Sequence, residues 1–226
     1  MAKNNKKNKY NEVNEFDEAL AASTNFYEKN KKTILYGGGT VLAIIILALL
    51  FHQFYLTPRN ERANNSLFAA QELFMNGEYE KALNGDGQTM GFLAVADEFG
   101  FTKAANLAHL YAGLCLANTE KYEEAIEQLE KYSSCGDAMV SPSVLGTLGN
   151  CYAELQQFDK AVSLLEKAAK KADNNTLSPL YLIQAGQIYE SQGQNDKALN
   201  CYTIIKNKYQ QSMQYNEIDK YIERVK

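Results

Sequence analysis

Residues 145–161 read Leu145-Gly-Thr-Leu-Gly-Asn-Cys-Tyr-Ala-Glu-Leu-Gln-Gln-Phe-Asp-Lys-Ala161. Small residues stand on both helices that this stretch predicts, Gly149 on the first and Ala161 on the second, and the bulky Tyr152 follows Gly149 by three positions. A glycine lets two antiparallel helices approach each other, and the tyrosine fills the space between them. The stretch therefore predicts a helix-turn-helix unit.

The same pattern recurs on either side of this unit. One copy runs from His109 to Ala125 and another from Leu182 to Ala198, so that equivalent residues lie 36 and 37 residues apart. The pairs Ser141-Pro142 and Ser178-Pro179 also fall at equivalent places, and we expect each to provide an N-cap hydroxyl and a proline at the first helical position. Caps that repeat with the core pattern indicate a repeat protein.

The units resemble the tetratricopeptide repeat (TPR), whose pattern runs Trp-x2-Leu-Gly-x2-Tyr and then Ala, except that Leu or His replaces the Trp. A weaker first unit covers residues 68–82, after which Asn84-Gly-Asp-Gly87 breaks the second helix and residues 91–99 restart it. Beyond the last unit, an apolar stripe predicts a capping helix and consists of Ile218, Tyr221, Ile222 and Val225. The resemblance implies an all-α fold with a TPR α-solenoid of about four helix-turn-helix units.

An apolar segment precedes the repeats. Residues 33–58 contain no Lys, Arg, Asp or Glu, and a helix from Ile34 to Leu56 would be roughly 34 Å long, enough to cross the hydrocarbon of a bilayer. A buried core helix is one alternative, but a helix that is apolar on all sides is rare in a small soluble domain. A cleaved signal peptide is another, but the run begins more than thirty residues into the chain and no Ala-x-Ala pattern follows it. We therefore expect a single transmembrane helix that serves as an uncleaved signal anchor.

Basic residues near the ends of this segment predict its orientation. Lys29, Lys31 and Lys32 precede it, with more lysines upstream, whereas Arg59 and Arg62 follow it. The excess predicts a cytoplasmic N-terminus and repeats on the other side of the membrane. The predicted organisation is a cytoplasmic tail (1–32), a transmembrane signal anchor (33–56), an irregular first TPR-like unit (57–105) and regular TPR units with a C-terminal capping helix (106–226).

Charge and motif content argue against several functions. The net charge is −4 and the acidic excess lies beyond residue 32, so the main domain lacks the basic field that binds nucleic acid. The sequence contains no HExxH, no Gly-x-Ser-x-Gly and no phosphate-binding loop, so we expect no catalytic residues, no metal, no cofactor and no small-molecule substrate. His109 is expected to be a packed histidine.

The four cysteines, Cys115, Cys135, Cys151 and Cys201, lack the close spacing of a zinc site. Cys115 and Cys151 occupy equivalent repeat positions and are expected to be buried and free. Cys135 stands beside a glycine in a predicted loop.

Repeat register predicts the partner-binding surface, because the outward positions of each first helix line the concave face of a solenoid. The predicted groove consists of Leu107, Leu110, Leu114, Asn118, Asn150, Glu154, Leu180, Ile183 and Gln187, with Ser143 and Glu190 at related positions. None of them is Lys or Arg, which argues against a basic clamp for an acidic peptide. The leucines indicate an apolar partner segment; the alternative is that some of them pack against the irregular first unit.

The order of the whole chain resembles the YfgM-type ancillary subunits of the bacterial SecYEG translocon. A short tail ending in Phe26-Tyr-Glu-Lys-Asn-Lys-Lys32, one span, and degenerate then regular TPR units carry the resemblance. It implies an inner-membrane protein whose periplasmic domain binds translocon subunits, a periplasmic chaperone or exported polypeptides. The repeats are closer to consensus than in that family, and cysteines are unusual in a periplasmic domain. A non-enzymatic TPR scaffold in another cell-envelope complex is therefore the alternative.

Overall fold

The computed structural model describes residue 24 and residues 28–33, 35–37 and 39–226. The chain divides into two units, Met1–Pro58 and Arg59–Lys226. Most of the predicted cytoplasmic tail, 1–32, lies outside the described residues.

The compact unit Met1–Pro58 contains the apolar segment. Its described residues are helical, and one helical stretch, Glu28–Met75, is long and apolar enough to be a candidate membrane span by length and composition; none of its apolar window is buried. A π-helical turn occupies His52–Leu56, where both the N–H and the hydroxyl of Thr57 donate to the carbonyl of His52. Pro58 follows at once, and because proline has no N–H and crowds the preceding turn, a local departure from α geometry is expected there.

Ten α-helices follow in the described chain. They are α1 (Thr57–Met75), α2 (Tyr79–Asn84), α3 (Phe92–Glu98), α4 (Lys103–Asn118), α5 (Tyr122–Glu130), α6 (Val140–Glu154), α7 (Phe158–Ala172), α8 (Ser178–Ser191), α9 (Asn195–Lys208) and α10 (Ile218–Val225), with a 3₁₀ turn at Met213–Glu217. Each helix from α4 onward packs mainly on its neighbours in sequence. This nearest-neighbour packing is typical of a solenoid.

Four equivalent turns divide these helices into helix-turn-helix units: α1–α2, α4–α5, α6–α7 and α8–α9. Each turn contains one residue with positive φ, and these residues are Gly77, Glu120, Gln156 and Gly193. In the third turn the N–H of Gln157 donates to the carbonyl of Tyr152 at 2.8 Å, and the other turns contain the same bond at 2.9–3.0 Å. This bond closes the end of the first helix and reverses the chain, so the irregular first unit shares the turn of the regular ones.

Within each regular unit the two helices meet at the repeat glycine. A Cβ on Gly113 would lie 2.5 Å from the Cγ of Leu129, a Cβ on Gly149 would lie 2.8 Å from that of Leu165, and one on Gly186 would lie 2.4 Å from the Tyr202 ring. The partner lies sixteen residues after the glycine in all three cases. The repeat alanines are equally crowded, since Ala125, Ala161 and Ala198 are 0% exposed. The predicted role of the three glycines is confirmed.

The irregular first TPR-like unit, α1–α2, departs from the repeat pattern after α2, as the glycines at 85 and 87 predict. Helix α2 has six residues, and in the loop after it the Asp86 carboxylate accepts the N–H groups of Gln88 and Thr89. Gly85 and Gly91 lie so close that a Cβ on Gly91 would be 2.3 Å from the nitrogen of Gly85. This contact turns the chain into the extra helix α3.

Within the repeat domain, an aromatic cluster joins the irregular first TPR-like unit to the second TPR unit. The rings of Phe92 and Tyr111 stack with centroids 5.1 Å apart, and Phe74 meets Tyr79, Phe92 and Tyr111 edge-on at 5.4–6.4 Å. Phe92 is completely buried. Aromatic packing therefore compensates for the shortened helix α2.

The predicted N-caps are wrong, because the capping side chains lie four residues before each serine. The Asp137 carboxylate accepts the N–H groups of Met139, Val140 and Ser141, and the Asn174 side-chain oxygen accepts two N–H groups before Ser178. The serine hydroxyls instead brace the turn: that of Ser178 donates to the carbonyl of Ala169, at the end of the preceding helix, at 2.8 Å. Proline occupies the third position of α6 and the second of α8.

Helix α10 packs on the last unit, in agreement with the predicted cap. Its residues Ile218, Ile222 and Val225 are buried in the second of two core clusters. The Arg224 guanidinium donates to both carboxylate oxygens of Glu190 on α8, at 2.6 and 2.8 Å. This fork is the stronger kind of ion pair and fixes the orientation of α10.

Replacing Gly186 by Ala should destabilise the protein. The added methyl group meets the fully buried ring of Tyr202, whose hydroxyl bonds to Glu190. Overpacking of this kind costs about 1–3 kcal/mol, and the better helix propensity of Ala returns about 1 kcal/mol, so we expect a net loss of up to about 2 kcal/mol. Urea unfolding of the full chain in detergent measures it, with the exposed neighbour Gln187→Ala as the control. Equal midpoints for the two variants would contradict this account of the glycine.

The Asp137 cap should make stability depend on acid. Hydrogen bonds from the Ser141 hydroxyl and from three backbone N–H groups lower the pKa of the carboxyl from 3.8 to about 2. Its stabilising contribution is therefore present above the unfolded pKa and is lost as the pH falls toward 2. Asp137→Ala should cost about 1 kcal/mol at neutral pH. In urea unfolding, Asp137→Asn should lose less stability than wild type over this acid range; identical acid profiles would contradict the assignment.

Candidate functional site

A central cleft lies between the first helices of the second and third units. Helix α4 contributes Leu114, Ala117 and Asn118, and helix α6 contributes Thr147, Asn150, Cys151 and Glu154; Tyr122 from the start of α5 completes the lining. Its volume is about 340 Å³. Its sides combine apolar carbon with two exposed amide side chains and one exposed carboxylate.

A C-terminal cleft of about 460 Å³ lies between α8 and the segment that follows α9. Its lining consists of Leu180 and Ile183 from α8, Met213, Gln214, Asn216 and Glu217 from the 3₁₀ turn, and Tyr221 from α10. Leu180 is 39% exposed and Met213 is 85% exposed. An apolar side chain from a partner could therefore contact two flexible, exposed apolar residues here.

The structure distributes the nine predicted groove residues over four environments. Four of them line the central cleft, namely Leu114, Asn118, Asn150 and Glu154, and two line the C-terminal cleft, namely Leu180 and Ile183. Gln187 is exposed on α8 outside the linings of both clefts. Leu107 and Leu110 belong to the packing of the first core cluster.

The outward position predicted for Leu110 needs correction. The side chain is only 7% exposed and packs in the same cluster as Leu67 of α1 and Phe92 of α3. The extra helix α3 packs on α4, and the cluster that buries Leu110 contains residues of both helices. The burial of Leu110 and the partial burial of Leu107 in this cluster favour the alternative, in which some of the leucines pack against the irregular first unit.

Glu190 and Ser143 also have partners inside the fold. The Arg224 guanidinium lowers the pKa of the Glu190 carboxyl, so this residue belongs to the α8–α10 junction. The Ser143 hydroxyl donates to the carbonyl of Met139 at 2.7 Å and accepts from the Tyr181 hydroxyl at 3.5 Å, which links two successive first helices.

The fold and these surfaces agree with a comparison against known families. A tetratricopeptide repeat-like domain model matches residues 24–222. The chain belongs to the tetratricopeptide repeat-like family. A search of curated proteins finds no match. A TPR-like domain is typical of protein–protein interaction modules, and first helices of its units contribute residues to the linings of both clefts.

The TPR-like domain keeps its cysteine thiols inert where they are buried. Burial raises the pKa of Cys115 to about 12 and that of Cys151 to about 11, so both thiols stay protonated at neutral pH. These two residues are buried and free, as predicted, and Cys135 is exposed. His109 is half-buried and packed, with Nδ1 3.1 Å from the side-chain oxygen of Gln128. Across the described ranges, no cluster of three or more His, Cys, Asp or Glu side chains could hold a metal ion.

Sequence reasoning missed the contributions that lie outside the first helices. Tyr122 begins a second helix, and Met213 and Tyr221 follow the last repeat. Tyr221 was assigned to the apolar stripe of the capping helix, yet it is half-exposed beside the cleft. Only Ile218, Ile222 and Val225 of that stripe are buried. The sequence feature that distinguishes Tyr221 is its spacing relative to these three residues.

Truncating Leu110 and Leu180 should show, by the loss of stability, which of the two side chains lies in the core and which lies at the surface. Leu110→Ala is expected to reduce the free energy of unfolding by about 2–5 kcal/mol, because it leaves a cavity in the core. Leu180→Ala should change it by about 0.5–1 kcal/mol, because the side chain is partly solvated already. Urea unfolding of both variants in detergent checks this, and an equal loss would contradict the placement of the two leucines.

Proposed function

We propose that the protein is a membrane-anchored, non-enzymatic TPR interaction module. The observation that carries the proposal is the conjunction of an apolar stretch without buried residues and a repeat domain with two clefts whose linings include apolar side chains. The apolar stretch would be poorly solvated by water, and the repeat domain offers contact area to a partner. The family match begins at residue 24, so it includes the apolar stretch as well as the repeats.

The partner surface that we propose works through apolar and amide contacts. The linings of the two clefts include no Lys or Arg, and each includes one Glu, Glu154 in the central cleft and Glu217 in the C-terminal cleft. Capture of an acidic terminus would need cationic groups. An extended or helical segment with exposed apolar side chains fits both linings better.

The orientation that we propose has the N-terminus in the cytoplasm and the repeat domain in the periplasm of a bacterial inner membrane. The support is the excess of lysine before the apolar stretch over the arginines after it. An N-terminal anchor without a cleavage pattern is typical of proteins that leave their C-terminal domain outside the cytoplasm.

Within this frame we propose an ancillary role at the Sec translocon, together with a periplasmic chaperone and acting on exported polypeptides. The order of tail, single span, irregular unit and regular units supports it through the YfgM-type resemblance. Clefts with apolar side chains in their linings also suit polypeptides that have not yet buried their own apolar side chains. The alternative function is a TPR scaffold in another cell-envelope complex, favoured by the cysteines at 115, 135, 151 and 201.

The orientation makes Cys135 reactive from outside the cytoplasm. Cys135 is exposed, whereas Cys115, Cys151 and Cys201 are buried with neutral thiols. A membrane-impermeant maleimide should therefore label wild-type protein in intact spheroplasts, and Cys135→Ser should abolish the label. Labelling that occurs only after lysis would contradict the orientation.

The translocon assignment predicts specific neighbours. Chemical crosslinking of native membranes with an amine-reactive reagent, followed by purification of the protein and mass spectrometry, should join lysines of the repeat domain to translocon or chaperone subunits. Crosslinks only to other envelope proteins would support the scaffold alternative and contradict the translocon role. The variant that lacks the apolar segment should lose the translocon crosslinks, because the anchor raises the local concentration of membrane partners.

A further inference from the structure

We propose that the central cleft selects partner segments in which a basic side chain, lysine or arginine, stands beside apolar ones. This inference rests on the proposed interaction function and names the chemistry of the partner at the same surface. Of the eight described residues that line the central cleft, Glu154 is the one that carries charge. A cation in the partner would therefore meet a carboxylate and no positive charge in this lining.

The Glu154 carboxylate has no counter-ion in the described part of the chain. None of the ion pairs found there includes it, and the residue is exposed. Lys121, which precedes Tyr122 of the lining, pairs instead with Glu80, with 3.8 Å between Nζ and Oε1. Glu154 can therefore form an ion pair with a partner without breaking one inside the protein.

Two helix ends add negative potential to the same cleft. Asn118 is the last residue of α4 and Glu154 is the last residue of α6, and both line the cleft. The C-terminus of a helix carries roughly half a negative charge, which stabilises a nearby cation. The N-terminus of α5, at Tyr122, has the opposite sign, but its first turn contains Glu123 and Glu124, which offset that field. The electrostatic environment of the cleft therefore favours a cation.

Tyr122 supplies an aromatic surface beside this carboxylate. Burial, and then the charges of Glu154 and Glu120, raise the pKa of its hydroxyl, so these carboxylates lie near the ring. Aromatic rings attract lysine and arginine side chains through cation–π contacts. Leu114 and Ala117 of α4 line the cleft as well, so the methylene stem of the cation and the apolar side chains next to it would also be covered.

The C-terminal cleft differs in these features and provides a comparison within the same domain. The charged residue of its described lining, Glu217, pairs with Lys220 at 3.5 Å. Leu180 and Ile183 of the same lining lie in the first half of α8, nearer the helix end that repels cations. We therefore assign the selection of basic side chains to the central cleft alone.

Peptide binding to the full chain in a neutral detergent tests this selectivity. The probe is a short fluorescent peptide with one lysine between two leucines in a glycine–serine background, and its matched control has glutamine in place of the lysine. Fluorescence anisotropy, corrected for binding to empty micelles, should show tighter binding of the lysine peptide. Glu154→Gln should weaken the binding of that peptide about two- to fivefold and leave the binding of the glutamine peptide unchanged.

Glu217→Gln is the matched control, because it removes a carboxylate from the other cleft. It should leave the difference between the lysine and glutamine peptides as large as in wild type. Equal effects of Glu154→Gln and Glu217→Gln on the lysine peptide would overturn the assignment to the central cleft.

An exchange of charges distinguishes a direct ion pair from an indirect effect. Glu154→Lys should bind the lysine peptide more weakly than wild type does, and it should bind a third peptide, with glutamate in place of the lysine, more tightly than wild type does. If the glutamate peptide binds this variant no better than wild type, the direct contact between Glu154 and the partner's charge is wrong.

Failure of this inference can be told apart from failure of the proposed function. Equal binding of the lysine and glutamine peptides to wild type would overturn the selectivity and leave the interaction function standing. Binding of neither peptide would contradict the proposed apolar partner surface, and this inference with it.

Discussion

The close approach of two antiparallel helices at a glycine is the constraint on which the repeat domain depends. At Gly113, Gly149 and Gly186 the facing side chain occupies the volume that a Cβ would need, and that side chain always lies sixteen residues further on. The left-handed residue in each connecting turn fixes this separation, because it sets where the second helix begins. Because the two helices approach equally closely in each unit, the units stack regularly, and their first helices align along one face.

The clefts follow from where this stacking is imperfect. Between α4 and α6 the exposed residues are Asn118, Asn150 and Glu154, which leave a shallow cleft. At the C-terminal end, Arg224 pairs with Glu190 and holds α10 on α8, while the 3₁₀ turn before it stands away and exposes Met213. Partner binding, as proposed, would use these two gaps in the packing and leave the repeat cores undisturbed.

The period, the hairpin units and the buried cysteines could be predicted because they depend on local spacing within a repeat. The burial of Leu110 could not, because the cluster that contains it also includes residues of α3, an insertion that belongs to no repeat. The caps were misassigned for a related reason: Asp137 and Asn174 recur with the same period as the serines, and a hydroxyl beside proline gives the same pattern whether it caps a helix or braces a turn. The positive φ of Phe101 had no sequence signal, since Gly100 stands beside it.

The central claim is that partners bind on the first helices of the TPR units. The most direct measurement introduces a photo-crosslinking amino acid, one site at a time, into the full chain in living cells. The first-helix sites are Asn118, Asn150 and Leu180, and the matched second-helix sites are Glu127, Lys167 and Asn200, all six of which are exposed. The account predicts that the first set yields a common crosslinked partner band and the second set does not. A partner band from the second set alone would contradict it.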